Sequence, residues 1–278
     1  MLRLAAALTA ATLVASAGYA AASASTAPTR PTVSDGAVPA PSSASPHAGS
    51  VSRAAAPLAG TTIVIDPGHQ LGNSRFPRQI NRPVAAGGLR KACNTTGTAT
   101  NAGFPEATFT WRVAKRLRAM LRARGATVVM TRTRNSRALW GPCVDVRGKL
   151  GNKGYRGRTR AADLKISIHG DGAAASGRGF HVIVTSRRGA VVRSARLGRL
   201  TRSALEDRGF RRSTYTAAGT ALVRRGDLGT LNLSRIPTVM VELGNMRNPR
   251  DARTMRAKAG QRRYARALAV AAQSYLGR

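Results

Sequence analysis

The chain has 278 residues, only 4% of them aromatic, and its formal net charge of +35 comes from 46 Lys and Arg, 40 of them Arg, against 11 acidic side chains. So little aromatic surface for stacking on bases, and no nucleic-acid-binding motif, argue against a specific nucleic-acid reader; the charge reads instead as affinity for an anionic polymer or surface. Past the N-terminal region no segment approaches ~20 consecutive apolar residues, so no transmembrane span is expected there.

Residues 1–24 read as a secretory signal peptide. Arg3 precedes an apolar core from Leu4 to Ala17, and Ala20, Ala22 and Ala24 offer small-residue cleavage positions. Over residues 25–59 the composition changes to Ala, Ser, Thr and Pro with hardly a large apolar side chain, which is the composition of a disordered linker. His47 inside it reads as a solvated tail residue. Residues 60–278 then make one domain, of a size that a single core can organise.

The first structured stretch is the β-branched run Thr62-Ile63-Val64-Ile65, a buried strand that stops at Asp66-Pro67-Gly68-His69, where Pro and Gly end ladder pairing. His69 thus sits just past a strand's C-terminal end, the edge at which open α/β sheets bind ligands. Leu71 to Gly103 is long, polar and aperiodic, and a loop of that kind inside a domain is usually functional or clamped. Pro105-Glu106 opens an amphipathic helix with Phe109, Val113, Leu117 and Leu121 on its apolar face and Gly125 beyond its end. Glu106 there complements the helix dipole, or is held rigidly as a metal ligand.

Ala126–Met130 is a second strand, which gives a strand-helix-strand unit and predicts parallel pairing. Asn135–Arg160 is Gly-rich and basic, with an irregular helix after Val144. Leu164–Ile168 is a third strand that ends, like the first, in His and Gly: His169-Gly170. Gly179–Thr185 is a fourth; its His181 lies at an alternating strand position and reads as a satisfied cross-strand or core residue. Ala190–Asp207 is a basic amphipathic helix, Arg225–Ser234 a loop, Pro237–Glu242 the last strand, and Gln261–Leu276 the last helix. Strands alternating with helices imply an α/β domain with a mostly parallel central sheet and helices on both faces.

In an exported chain the pair Cys93 and Cys143 most simply forms a disulfide, worth on the order of 4 kcal/mol by loop closure. A nucleophilic Cys paired with a His is the competing reading, against which Cys143 follows Gly141-Pro142 in a loop suited to a staple. His69, Glu106, His169 and Glu242 come from four separate element junctions. They are either unrelated loop and strand-end residues or one site. As a site, two His and a carboxylate match a catalytic zinc ion with an open fourth position, and Glu242 is placed to move the proton of a hydrolytic water.

The blocks IVIDPGH, PEATFTWRVAKRLRAMLRARGATVVMTRT, AADLKISIHGDG and PTVMVELGNMRNPRDA resemble the zinc-dependent N-acetylmuramoyl-L-alanine amidases of the Amidase_3 family, over nearly all of Gly60 to Leu276. The loop segments ACNTTG, GPCVD and DLGTLN resemble an actinobacterial, secreted, single-domain branch, which implies a disulfide between Cys93 and Cys143. The resemblance implies that His69, Glu106 and His169 hold Zn²⁺ and that Glu242 is the catalytic glutamate. The implied reaction is hydrolysis, in peptidoglycan, of the amide between the lactyl group of N-acetylmuramic acid and L-alanine. Gln70-Leu71 and the Gly-rich Arg147–Arg160 depart from the family pattern.

No wall-binding repeat is recognisable, so the basic surface is the candidate for cell-wall association of a secreted monomer. A reading of a different class is a non-catalytic cationic protein that binds the wall on an amidase-like scaffold.

Overall fold

The computed structural model describes residues 56–187 and 191–278. The signal peptide and most of the linker expected over residues 1–59 lie outside the described residues. Packing begins slightly ahead of the expected boundary at Gly60: Leu58 is fully buried and its amide donates to Arg124 O (2.7 Å).

In chain order, β1 (Thr62–Pro67) leads to a short helix α1 (Pro77–Asn81) and to a two-stranded antiparallel ribbon of β2 (Pro83–Ala85) and β3 (Arg90–Ala92). Helix α2 (Glu106–Arg122), strand β4 (Thr127–Met130), helix α3 (Val144–Lys149) and strand β5 (Leu164–Asp171) follow. The C-terminal part holds β6 (His181–Thr185), α4 (Val191–Glu206), β7 (Leu222–Arg225), α5 (Gly229–Asn232), β8 (Thr238–Asn245), α6 (Pro249–Arg256) and α7 (Lys258–Tyr275).

Six of the strands form one sheet in the order β4-β1-β5-β8-β6-β7, and every neighbouring pair is parallel except β6 with β8. Alternation along the strands divides the core between the two faces. Ile63, Ile65, Ile166, Ile168, Val239 and Val241 join the larger cluster under α2, α4 and α7, where Tyr264 stacks on Phe210 at 4.0 Å and meets Phe109 edge-on at 5.8 Å. On the other face Ile183 and Met240 pack with Leu231 of α5. The same face carries a fully buried Lys165, whose Nζ donates to Arg147 O (2.8 Å) and Gly148 O (2.6 Å) and so caps the last turn of α3; burial pulls its pKa down to about 7.

Three expectations need amending. The passage Leu71–Gly103 is not free of regular structure, since it holds α1 and the β2–β3 ribbon. The expected loop Arg225–Ser234 contains α5, and a helix, α6, precedes the last one, which itself starts at Lys258 rather than Gln261. The expected start of α4, Ala190, lies outside the described residues. Cys93 and Cys143 are joined in a disulfide across 50 residues, tying the end of the ribbon to the start of α3. Replacing both by Ser is expected to cost about 4 kcal/mol, the loop-closure value for that separation, read as a lower urea midpoint with a steeper slope, because the unlinked unfolded chain is more expanded. An unchanged midpoint would mean that other contacts close this loop.

Candidate active site

β1 ends in Asp66-Pro67-Gly68-His69, and the carbonyls of this turn are caught by side chains from elsewhere. Arg147 donates to Pro67 O (2.8 Å) and His69 O (2.8 Å), Arg132 to Pro67 O (3.1 Å), and the Thr110 hydroxyl to Gly68 O (2.9 Å). Arg147 also pairs with Asp66 at 2.5 Å, and both side chains are buried; Asp66 accepts further bonds from Thr131 (2.6 Å) and Ser167 (2.7 Å). Burial alone would raise the proton affinity of Asp66, but Arg147 and the two hydroxyls outweigh it and hold the carboxyl well below its usual range. The turn places His69 at φ 55°, a left-handed conformation that a side chain with a Cβ adopts only where its surroundings over-determine it.

So placed, the His69 ring faces Glu106, the first residue of α2. Its Nδ1 lies 3.0 Å from Thr95 O, which as acceptor fixes the proton on Nδ1, and Nε2 lies 3.2 Å from Glu106 Oε2. On the other side His169, near the end of β5, brings Nδ1 to 3.0 Å from Glu106 Oε1. Backbone amides hold the carboxylate between the rings: Thr98 N–H donates to Oε2 (3.0 Å) and Gly170 N–H to Oε1 (3.1 Å). Burial opposes the charge on Glu106, and His69 and His169 together more than compensate, so the carboxyl is held far below its ordinary range. For His69 burial works against the proton and Glu106 prevails, raising its pKa. One donor atom from each of His69, Glu106 and His169 lies within 4.8 Å of the others, a cluster able to hold a metal ion.

Glu242 on β8 is set directly across from His169 on β5 by the parallel register, and on its other side across from His181 on β6 by the antiparallel one. Its Oε2 is buried without a hydrogen-bond partner. Burial raises its pKa well above the ordinary value, and the charges of Glu106 and Asp171 add to the shift. His181 is the correction to the sequence reading. It is a buried cross-strand residue as expected, but it is not satisfied, for its Nδ1 has no partner. The signal that would have found it is the register of β6 against β8, which alternation within one strand does not carry.

His69, His169 and Glu242 open into a cavity of about 260 Å³ whose walls include Lys91, Thr95, Arg147, Arg225, Leu228 and Met240. A larger hollow of about 680 Å³ between Thr100–Phe104 and α6 is lined by Arg112, Arg247, Arg253 and Arg256 and carries no His or carboxylate. The chemistry therefore belongs to the smaller one.

Residues 63–274 match the Amidase_3 family model, described as N-acetylmuramoyl-L-alanine amidase. The chain belongs to this family. It is 38% identical over 237 residues to the N-acetylmuramoyl-L-alanine amidase Rv3717 of Mycobacterium tuberculosis, spanning 84% of this chain and 93% of that protein. Among solved structures, Ami1, the N-acetylmuramyl-L-alanine amidase of Mycobacterium smegmatis, superposes with a TM-score of 0.73 at 37% identity, covering 79% of this chain and 98% of that one. The apo form of Ami1 from Mycobacterium abscessus gives 0.72 at 37% identity, covering 79% and 100%. The match runs from Ile63 in β1 to Ser274 in α7, so the elements that carry His69, Glu106, His169 and Glu242 all lie inside it.

Proposed function

We propose that this amidase-family chain is a zinc-dependent peptidoglycan hydrolase. It cleaves the amide between the lactyl carbonyl of N-acetylmuramic acid and the amine of L-alanine. The observation that carries this is the buried Glu106 carboxylate standing between two imidazoles, with Glu242 on the adjacent strand.

The donor set fits zinc. Two imidazole nitrogens and a carboxylate oxygen, one donor atom from each of His69, Glu106 and His169, lie within 4.8 Å of one another, which is the ligand chemistry of a catalytic zinc site. His69, Glu106 and His169 would hold the ion. Bound there, zinc lowers the pKa of water toward neutrality and polarises a carbonyl oxygen. Glu242 takes the proton of the attacking water and returns it to the leaving amine as the C–N bond breaks, leaving a lactyl carboxylate and a free stem peptide. Burial and the charges of Glu106 and Asp171 raise the proton affinity of Glu242, which suits a group that takes a proton and then hands it on. The Cys93–Cys143 disulfide agrees with an oxidising, extracytoplasmic location, and the net charge of +35 with a hold on anionic wall polymers. Among the described residues no helix is long and apolar enough to cross a membrane.

The deciding experiment is mass spectrometry of purified muropeptides after incubation with the protein. Stem peptides beginning at a free L-alanine amine, lost with a chelator and restored by zinc, are expected. Uncut muropeptides from a protein that still sediments with cell walls would favour the binding-protein reading.

Gly97 offers a local probe. Its φ is 78°, and a Cβ there would lie 2.8 Å from Glu106 Oε2 and 2.9 Å from His69 Cγ. Gly97→Ala is expected to weaken zinc binding by about 10- to 100-fold, the range for disturbing groups that orient metal ligands. Gly103→Ala, at φ 76° with open space around it, isolates the backbone effect. Equal zinc affinities of the two variants by competitive chelator titration would remove Gly97 from the site.

A further inference from the structure

Glu242 is the middle of three titratable side chains that the strand registers bring into one row. His169 faces it from β5 and His181 from β6. The first belongs to the candidate metal centre. The second has no function assigned so far, yet it is buried with Nδ1 unpaired, while Oε2 of Glu242, its partner residue across the strand pair, is buried and unpaired as well, so the two side chains are not hydrogen-bonded to each other here. Buried polar atoms without partners are few in folded proteins and call for an explanation, and here two of opposite kind occupy directly opposed positions in one strand pair. A neutral imidazole offers one N–H donor; a carboxylate accepts.

We infer that His181 is a positioning residue for Glu242, its ring N–H available to take up the carboxylate at the orientation from which Glu242 exchanges a proton with water and with the leaving amine. This rests on the proposed role of Glu242. The surroundings of His181 suit the task. The Tyr215 ring packs edge-on against the imidazole with centroids 6.0 Å apart, and the Tyr215 hydroxyl donates to Asp171 Oδ2 (3.0 Å), which anchors the ring that backs the imidazole. Burial lowers the pKa of His181, against the pull of Asp171 and with the help of Arg225, and so keeps the ring neutral with one donor and one acceptor. An imidazolium would instead pair with Glu242 as an ion and depress the proton affinity that the mechanism uses.

The test compares His181→Phe, which keeps the ring and loses both nitrogens, with His181→Asn, which retains a donor near Nδ1. His181→Phe is expected to lower kcat by about tenfold or more, with KM, zinc stoichiometry and melting temperature close to wild type, and His181→Asn to recover most of that loss. A second readout needs no turnover: in the metal-free protein the imidazole ¹⁵N resonances of His181 are expected to move on Glu242→Gln substitution. A wild-type kcat in His181→Phe, or equal losses in the Phe and Asn variants with matching drops in melting temperature, would overturn the inference, as would unmoved ¹⁵N resonances. Glu242→Gln, assayed alongside, separates the two ideas. If it is inert while His181→Phe is fully active, only the positioning role fails; if it retains wild-type turnover, the role of Glu242 fails first.

Discussion

Glu242→Gln is expected to lower kcat by about 10²–10⁴-fold, the span usual for removing a general acid–base, with KM little changed and zinc retained. The same substitution is expected to raise the melting temperature of the metal-free protein at neutral pH. The argument runs through linkage. The folded pKa of Glu242 lies well above the ordinary value of 4.5 because the side chain is buried and stands near Glu106 and Asp171. Above pH 4.5 the unfolded chain gives up this proton freely, while the folded chain must keep it or hold an unpaired charge, so stability from this group falls as pH rises. Gln carries no charge at any pH and removes that penalty. Loss of turnover with gain of stability marks a residue kept for chemistry. A variant both inactive and less stable would make Glu242 a structural residue.

How much of this could be read from the chain follows from where the apolar side chains lie. β1, β5 and β8 are buried runs on both faces, and α2 has a clean apolar stripe, so each is legible from periodicity. Those four elements deliver His69, Glu106, His169 and Glu242, which is why the site emerges together with the fold. α6 does not emerge, because Met255 is its one buried residue and no stripe can form. β7 is an edge strand of half-buried Leu222 and Val223 and two exposed Arg, and β2–β3 is a ribbon with alternate residues exposed; neither has a fully buried residue to betray it.

What stays hidden at the site is tertiary. Asp66, Arg132 and Arg147 look, in a chain with so many Arg, like loop and surface charges, yet all three are buried around the turn that carries His69. Among 40 Arg, composition cannot single out the two that hold the turn. His181 needs the β6–β8 register, and the direction of β6 is decided by the path of the chain between Asp171 and His181, which no periodic pattern encodes.

Arg147 carries the second large prediction. Its guanidinium is almost fully buried and donates to Asp66, to the carbonyls of Pro67 and His69, and to Pro142 O beside the disulfide (2.9 Å), so a single side chain ties β1, the turn that carries His69 and α3 together. Arg147→Met keeps the volume and removes the charge. It leaves Asp66 buried without its cation, for which a loss of about 3–5 kcal/mol is expected, a large share of the 5–15 kcal/mol that a domain commands. The sign of the pH dependence is fixed by Asp66. In the wild type its folded pKa lies below the unfolded value of 3.8, so its stabilisation is fully present above pH 3.8 and drains away only as pH falls through the folded pKa. In Arg147→Met the ion pair no longer opposes the effect of burial, the folded pKa of Asp66 rises, and acid relieves the buried charge. The stability gap between the two proteins is therefore expected to be widest at neutral pH and to narrow below pH 4. Urea titrations followed through Trp111 and Trp140 at pH 7 and near pH 3.5 measure it. A gap of the same size at both pH values would mean that Arg147 acts through its carbonyl hydrogen bonds and not through Asp66. The left-handed backbone of His69 adds a consequence for the candidate metal site: once its carbonyl is released, Arg147→Met is expected to weaken binding of the proposed zinc even where it remains folded.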